Sequence, residues 1–82
     1  MTADGEGTVP DRAVVQAAAE AAENVIFSRY DRGDVRDFDV TVSFEDRVLE
    51  VDVYLDASGG DPDRVADDAA LAARSAADDR LA

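Results

Sequence analysis

The sequence predicts a two-layer α+β domain in the order helix, strand, strand, helix, with an antiparallel hairpin sheet packed on two helices. Three observations predict it. Apolar residues recur at helical spacing over residues 14–26 and again over 65–76. Between them, Phe38–Phe44 and Leu49–Leu55 alternate apolar and polar residues without a fault. Pro10, Gly33, Gly59-Gly60 and Pro62 punctuate the segments at their ends.

Residues 1–8 carry Gly5 and Gly7 among polar residues and no periodic apolar signal, so they are expected to form a mobile tail ahead of a single domain over 9–82. The first helix is expected to start near Thr8 or Asp11. There a hydroxyl cap, Pro10 and an acid facing the positive helix end follow one another. It should run to about Tyr30, with Val14, Val15, Ala18, Ala21, Ala22, Val25 and Ile26 on one face, and Gly33 with its charged neighbours should end it. For both apolar rows of the hairpin to share a face, Phe44 must oppose Leu49, Val42 Val51, Val40 Val53 and Phe38 Leu55. Asp46-Arg47 is then a two-residue turn. The aromatic residues Phe38, Phe44 and Tyr54 are assigned to the core, with Val40, Val42, Val51 and Val53 at the centre of the sheet. After a Ser58-Gly59-Gly60 loop, Asp61 reads as N-cap and Pro62 as the first residue of a second helix ending near Leu81. Its expected buried stripe is Val65, Ala66, Ala69, Ala72, Ala73 and Ala76.

Composition narrows the function. The 82 residues hold 20 acidic and 8 basic side chains, a net charge of −12. Fifteen of the acids are Asp, every cation is Arg, and the chain has no Cys, His, Lys or Trp. Thiolate, imidazole and Schiff-base chemistry are therefore excluded, as are zinc sites and disulfides. Dispersed carboxylates, Lys replaced outright and apolar positions filled by Ala and Val match halophilic adaptation of the haloarchaeal kind, in which molar salt screens like charges. No window reaches the length of a membrane span and the N-terminus does not resemble a signal peptide, so a cytoplasmic protein with no membrane contact is expected. No basic stripe is present to localise nucleic acid.

Candidate chemistry is sparse. The four carboxylates Asp31, Asp34, Asp37 and Asp39 do not follow the spacing of a calcium loop, and they are read as solvated charge. Asp61/Asp63 and Asp67/Asp68 occupy a cap, a first turn and an outward helix face. Ser28, Ser43, Ser58 and Ser75 have no His to activate them. The expectation is a non-enzymatic binding or assembly module with no catalytic residues, no metal and no cofactor.

A two-stranded sheet is marginal on its own, and helices that press mostly Ala against it contribute little apolar area. A protein partner is therefore expected. Two residues fall where the helical wheel places solvent, namely Phe27 beside Glu20 and Glu23, and Leu71 between Asp67, Arg74 and Asp78. Phe27, Leu71 and Arg74 are the candidate partner interface. Arg29, on the apolar side of its helix, is read as a snorkelling last-turn cation.

The segments Val14–Glu23, Val40–Leu55 and Ala69–Arg74, taken together, resemble a haloarchaeal family of small uncharacterised proteins over roughly residues 9–82. Members of that family are often encoded near the prefoldin beta subunit. They also lie near the small dimerising subunit of KEOPS, the complex that makes threonylcarbamoyladenosine in transfer RNA. The helix–hairpin–helix order is similar to that small subunit, which adds an N-terminal strand, dimerises by sheet pairing and docks through its helices on the catalytic subunit. The resemblance implies a paralogue of the small subunit: a non-catalytic accessory protein that pairs with it, as a heterodimer, or with itself. Two alternatives are a small RNA-binding α/β module and a homodimeric module with another partner. The RNA reading needs a basic or aromatic sheet face, which the sequence does not supply.

Overall fold

The structure, a computed structural model, describes residues 11–81. Helix α1 spans Asp11–Arg29, strand β1 Val35–Glu45, strand β2 Val48–Ala57 and helix α2 Pro62–Leu81. A single 3-10 turn over Arg32–Asp34 joins α1 to β1. The sheet has two antiparallel strands, and the helices cover one of its faces, α1 over β1 and α2 over β2. This is the expected α+β architecture. The proposed Thr8 cap and the tail over 1–8 lie outside the described residues.

The hairpin has the register that its apolar rows demand. Phe44 faces Leu49, Val42 faces Val51, Val40 faces Val53 and Phe38 faces Leu55. The strands reach further than the alternating core of the pattern, to Val35 and Ala57, where the register slips between Val35 and Asp37 so that Arg36 is the extra residue of a bulge. Asp46 and Arg47 both adopt left-handed backbone, with φ of 51° and 65°. Two successive positive values are the mark of a type I′ turn, whose twist matches that of the strands. Asp tolerates this region through its short side chain, but Arg does not. Arg47→Gly is accordingly expected to stabilise the fold by about 1 kcal/mol, raising the thermal midpoint by roughly 4–8 °C in a domain of this size. A melt followed by circular dichroism checks this, and an unchanged or lower midpoint would remove the strain argument.

The two helices meet along rows of every fourth residue. Val14, Ala18, Ala22 and Ile26 of α1, and Val65, Ala69, Ala73 and Ala77 of α2, are the buried positions. Ala methyls leave little bulk between two backbones, so the helices approach closely. The end of α1 lies beside the beginning of α2, because the Arg29 Nη2 pairs with Asp68 at 3.1 Å and the Tyr30 hydroxyl donates to the Gly59 carbonyl at 2.9 Å. The helices are therefore antiparallel. At that junction Gly60 sits at φ 63°, and a Cβ there would lie 2.7 Å from the Tyr30 oxygen, so no larger residue fits without moving the ring. Asp61 caps α2, accepting from the Arg64 amide at 3.3 Å, and Pro62 follows as the first helical residue.

Three expectations about burial are corrected by this packing. Val15, Ala21 and Val25 on α1, and Ala66, Ala72 and Ala76 on α2, are half-buried flanks, while Ala77, absent from the expected stripe, is fully buried. A row of four-residue steps drifts along the helix surface, and the partner helix follows that row, not the full width of the apolar arc. Tyr54 is not in the core. It stands on the outward face, 55% exposed, because alternation places residue 54 with Glu50 and Asp52 and opposite Val53 and Leu55. Phe27 is half-buried where the wheel placed solvent, since Phe38 reaches it from the sheet.

Candidate interaction surface

Burial declines from the helix seam toward the sheet. Phe38, Val40, Val42 and Phe44 of β1 face the helices yet are only partly covered, as are Leu49, Val51 and Val53 of β2. The cause is the small side chains above them, since a layer of Ala and Val does not span the width of a two-stranded sheet. Among the described residues neither outer edge of the sheet has a strand beside it. The outward face carries Asp39, Thr41, Ser43, Glu50 and Asp52, all exposed, with Tyr54 and Val48 as its apolar members.

The three candidate partner residues lie in two places. Leu71 is 66% exposed on α2, the most exposed large apolar side chain among the described residues. Arg74, one turn on, is also exposed and leans toward β2, where it shares an open groove with Leu49, Val51, Glu50 and Asp52. These two neighbours form one patch. Phe27 belongs elsewhere. Its ring meets Phe38 edge to face with centroids 5.2 Å apart, and the Arg32 guanidinium lies 4.9 Å over its centre. That stack closes the first loop over the start of β1 and engages Phe27 within the chain. Arg29 is engaged as well, in its ion pair with Asp68.

The electrostatics are those of an unneutralised surface. Two Arg–carboxylate pairs occur among the described residues, Arg29–Asp68 at 3.1 Å and Arg36–Asp56 at 3.5 Å, and both are solvent-exposed. The acidic stretch from Asp31 to Asp39 is drawn out along a 3-10 turn and a strand. No three carboxylates among the described residues converge on a point that would hold a metal ion. No polar or charged side chain is buried among them either, so no carboxyl sits in an apolar pocket of the kind that acid–base chemistry uses. The surface features that sequence reasoning passed over are Tyr54 and Val48. Strand parity was the available signal, since each falls in the polar row.

A family model described as "Protein of unknown function (DUF3194)" matches residues 12–79. The chain belongs to this family. The DUF3194 match runs from the first turn of α1 to the last turns of α2, so the family unit is the whole helix–hairpin–helix. An uncharacterized protein of the haloarchaeon Natronomonas pharaonis is 48% identical over 80 residues, covering 96% of each chain. No solved structure matches the chain. Among the described residues, no helix of this DUF3194 protein is long and apolar enough to cross a membrane.

Proposed function

We propose that the protein is a non-catalytic accessory subunit of KEOPS that pairs with its small dimerising subunit and thereby sets how many copies of the complex associate. The observation that carries this reading is an under-covered helix–hairpin–helix, whose sheet edges no strand covers among the described residues, with an exposed Leu71 on an otherwise charged helix face. Such a unit gains stability by binding another chain. Its element order is similar to that of the KEOPS small subunit, which makes that subunit the partner of choice. Pairing would exchange a symmetric homodimer of the small subunit for a heterodimer with a single docking side, and so limit further assembly. The outward sheet face, with Asp39, Glu50, Asp52 and Asp56, gives no support to an RNA-binding reading.

The test is recovery of partners with a tagged copy expressed in a haloarchaeal host, with salt near cytoplasmic strength throughout. The small subunit in equal amount, followed by the catalytic subunit, is the expected result. Recovery of the chain without either one overturns the assignment. Leu71→Asp refines it, because the side chain is solvent-exposed in the free protein and its replacement leaves the fold untouched. Pairing is expected to be lost while the helical circular-dichroism signal is unchanged. A variant that still pairs would free Leu71 from any role in the contact.

A further inference from the structure

We propose that the outward face of α2 pairs antiparallel with the same face of a second copy of this chain, with Leu71 packed on Leu71 at the twofold axis. This pairing does not depend on the KEOPS reading. It uses the face which that reading assigns to the small subunit, so self-pair and heterodimer exclude one another.

Helical periodicity places the contact. Arg64, Leu71 and Asp78 recur every seventh residue, a spacing that drifts by only about 20° per step around the helix. Asp67 and Arg74 lie together along one side of that line. All five are exposed, on the side of α2 opposite its buried row of Val65, Ala69, Ala73 and Ala77. The two ion pairs among the described residues, Arg29–Asp68 and Arg36–Asp56, use none of the five.

Charge selects a second copy and its direction. Counted from Leu71, Arg64 lies seven residues before and Asp78 seven after, while Asp67 lies four before and Arg74 three after. The pattern thus changes sign when it is reversed. A twofold axis at Leu71 runs one helix against the other and sets Arg64 against Asp78 and Asp67 against Arg74, each pair occurring twice. Asp68, at the margin and bonded to Arg29 in its own chain, comes beside Ser75, so no like charges oppose one another along the strip. Parallel pairing would set every charge on its like. The balance of two Arg with two Asp is a departure for a chain of 8 basic and 20 acidic side chains. The outward face of α1 offers nothing comparable, because Gln16, Glu20, Glu23 and Asn24 are exposed there without a large apolar residue.

One Leu per copy with flanking ion pairs is a contact at the small end of the range, under about 1,200 Å² in total, so the dimer should be weak and reversible. Salt acts in its favour. Two chains of charge −12 repel across their whole surfaces, at distances that molar salt screens. Opposed side chains in contact are separated by no more than the screening length of about 3 Å at 1 M, and they keep their attraction.

Sedimentation equilibrium of the full-length chain in molar potassium chloride is expected to show monomer and dimer exchanging, with a dissociation constant between about 10 μM and about 1 mM. Arg74→Asp and Asp67→Arg each set like charges against one another at two places, and each should weaken self-pairing about tenfold or more. Mixing the two variants brings a chain acidic at both positions against one basic at both. The mixture should therefore dimerise as tightly as the unmodified chain. A chain that stays monomeric at about 1 mM overturns the self-pairing. Single reversals that leave the dimer as tight as before, or a mixture no tighter than either variant alone, also overturn it. Both altered positions are exposed, and helical circular dichroism checks that the variants fold. If either does not, Leu71→Asp decides: loss of the dimer is expected, and a dimer that persists overturns the proposal.

Discussion

Replacing Ile26 with alanine is expected to destabilise the protein by about 2–5 kcal/mol, the range for emptying a buried branched aliphatic site. Ile26 and Val14 are the largest side chains with no solvent exposure, and the remaining fully buried positions are alanines. The surrounding Ala methyls sit on two packed helix backbones and cannot swing into the vacated space, so relaxation recovers little of the loss. Domains of this size have about 5–15 kcal/mol of total stability, so the change removes a large share of it. Urea is the denaturant of choice, because it is uncharged and allows the salt to be held constant. Val51→Ala serves as the comparison. Val51 is half-exposed at the sheet, and its truncation should cost less than half as much. Equal costs at the two sites would mean that the sheet, and not the helix seam, carries the core.

Much of this architecture was legible in the sequence because period-2 and period-3.6 patterns answer local questions. Alternation in Phe38–Phe44 and Leu49–Leu55, together with the need to put both apolar rows on one face, leaves a single register and a turn at Asp46-Arg47. The structure has both. Asp61-Pro62 marked the start of α2 because a cap oxygen and a missing amide satisfy the same helix end. What escaped was tertiary. A helical wheel describes one helix alone, so it placed Phe27 in solvent, although Phe38 and Arg32 close over it from later in the chain. The same limit widened the buried stripes to Val15 and Ala72, since only the line of contact with the partner helix shows which alanines of an apolar arc are sealed. Tyr54 is a different case. Its strand parity was readable, and assigning it by aromatic character in place of position put it on the wrong face. The bulge at Arg36 has no signature in residue type. The exposure of Leu71 and Arg74 on one helix face was legible, and the engagement of Phe27 elsewhere in the fold was not.

Salt dependence should exceed the effect of any single substitution, because the unbalanced charge acts on every element at once. Twelve acids in excess are distributed over 82 residues, and neighbours such as Glu20/Glu23 on α1, Asp37/Asp39 on β1, and Asp67/Asp68 and Asp78/Asp79 on α2 recur along both helices and the sheet. The two ion pairs among the described residues are both exposed, and such pairs contribute about 0–1 kcal/mol each, too little to offset this repulsion. At 4 Å two like charges repel by about 1 kcal/mol even in bulk water. The screening length is about 10 Å at 0.1 M salt and about 3 Å at 1 M, so acids one or two turns apart interact in dilute buffer and not in molar salt. The unfolded chain, being expanded, holds its charges further apart and gains less from screening. The folded population in potassium chloride is therefore expected to rise steeply up to about 1 M, with little further gain once the screening length falls below the separation between neighbouring acids. Helical circular dichroism followed against salt at fixed temperature measures it. A transition already complete at about 0.1 M would mean that the carboxylates are too well solvated to repel one another. A rise that continues in proportion to salt far beyond 1 M would assign the stabilisation to strengthened apolar burial instead of screening.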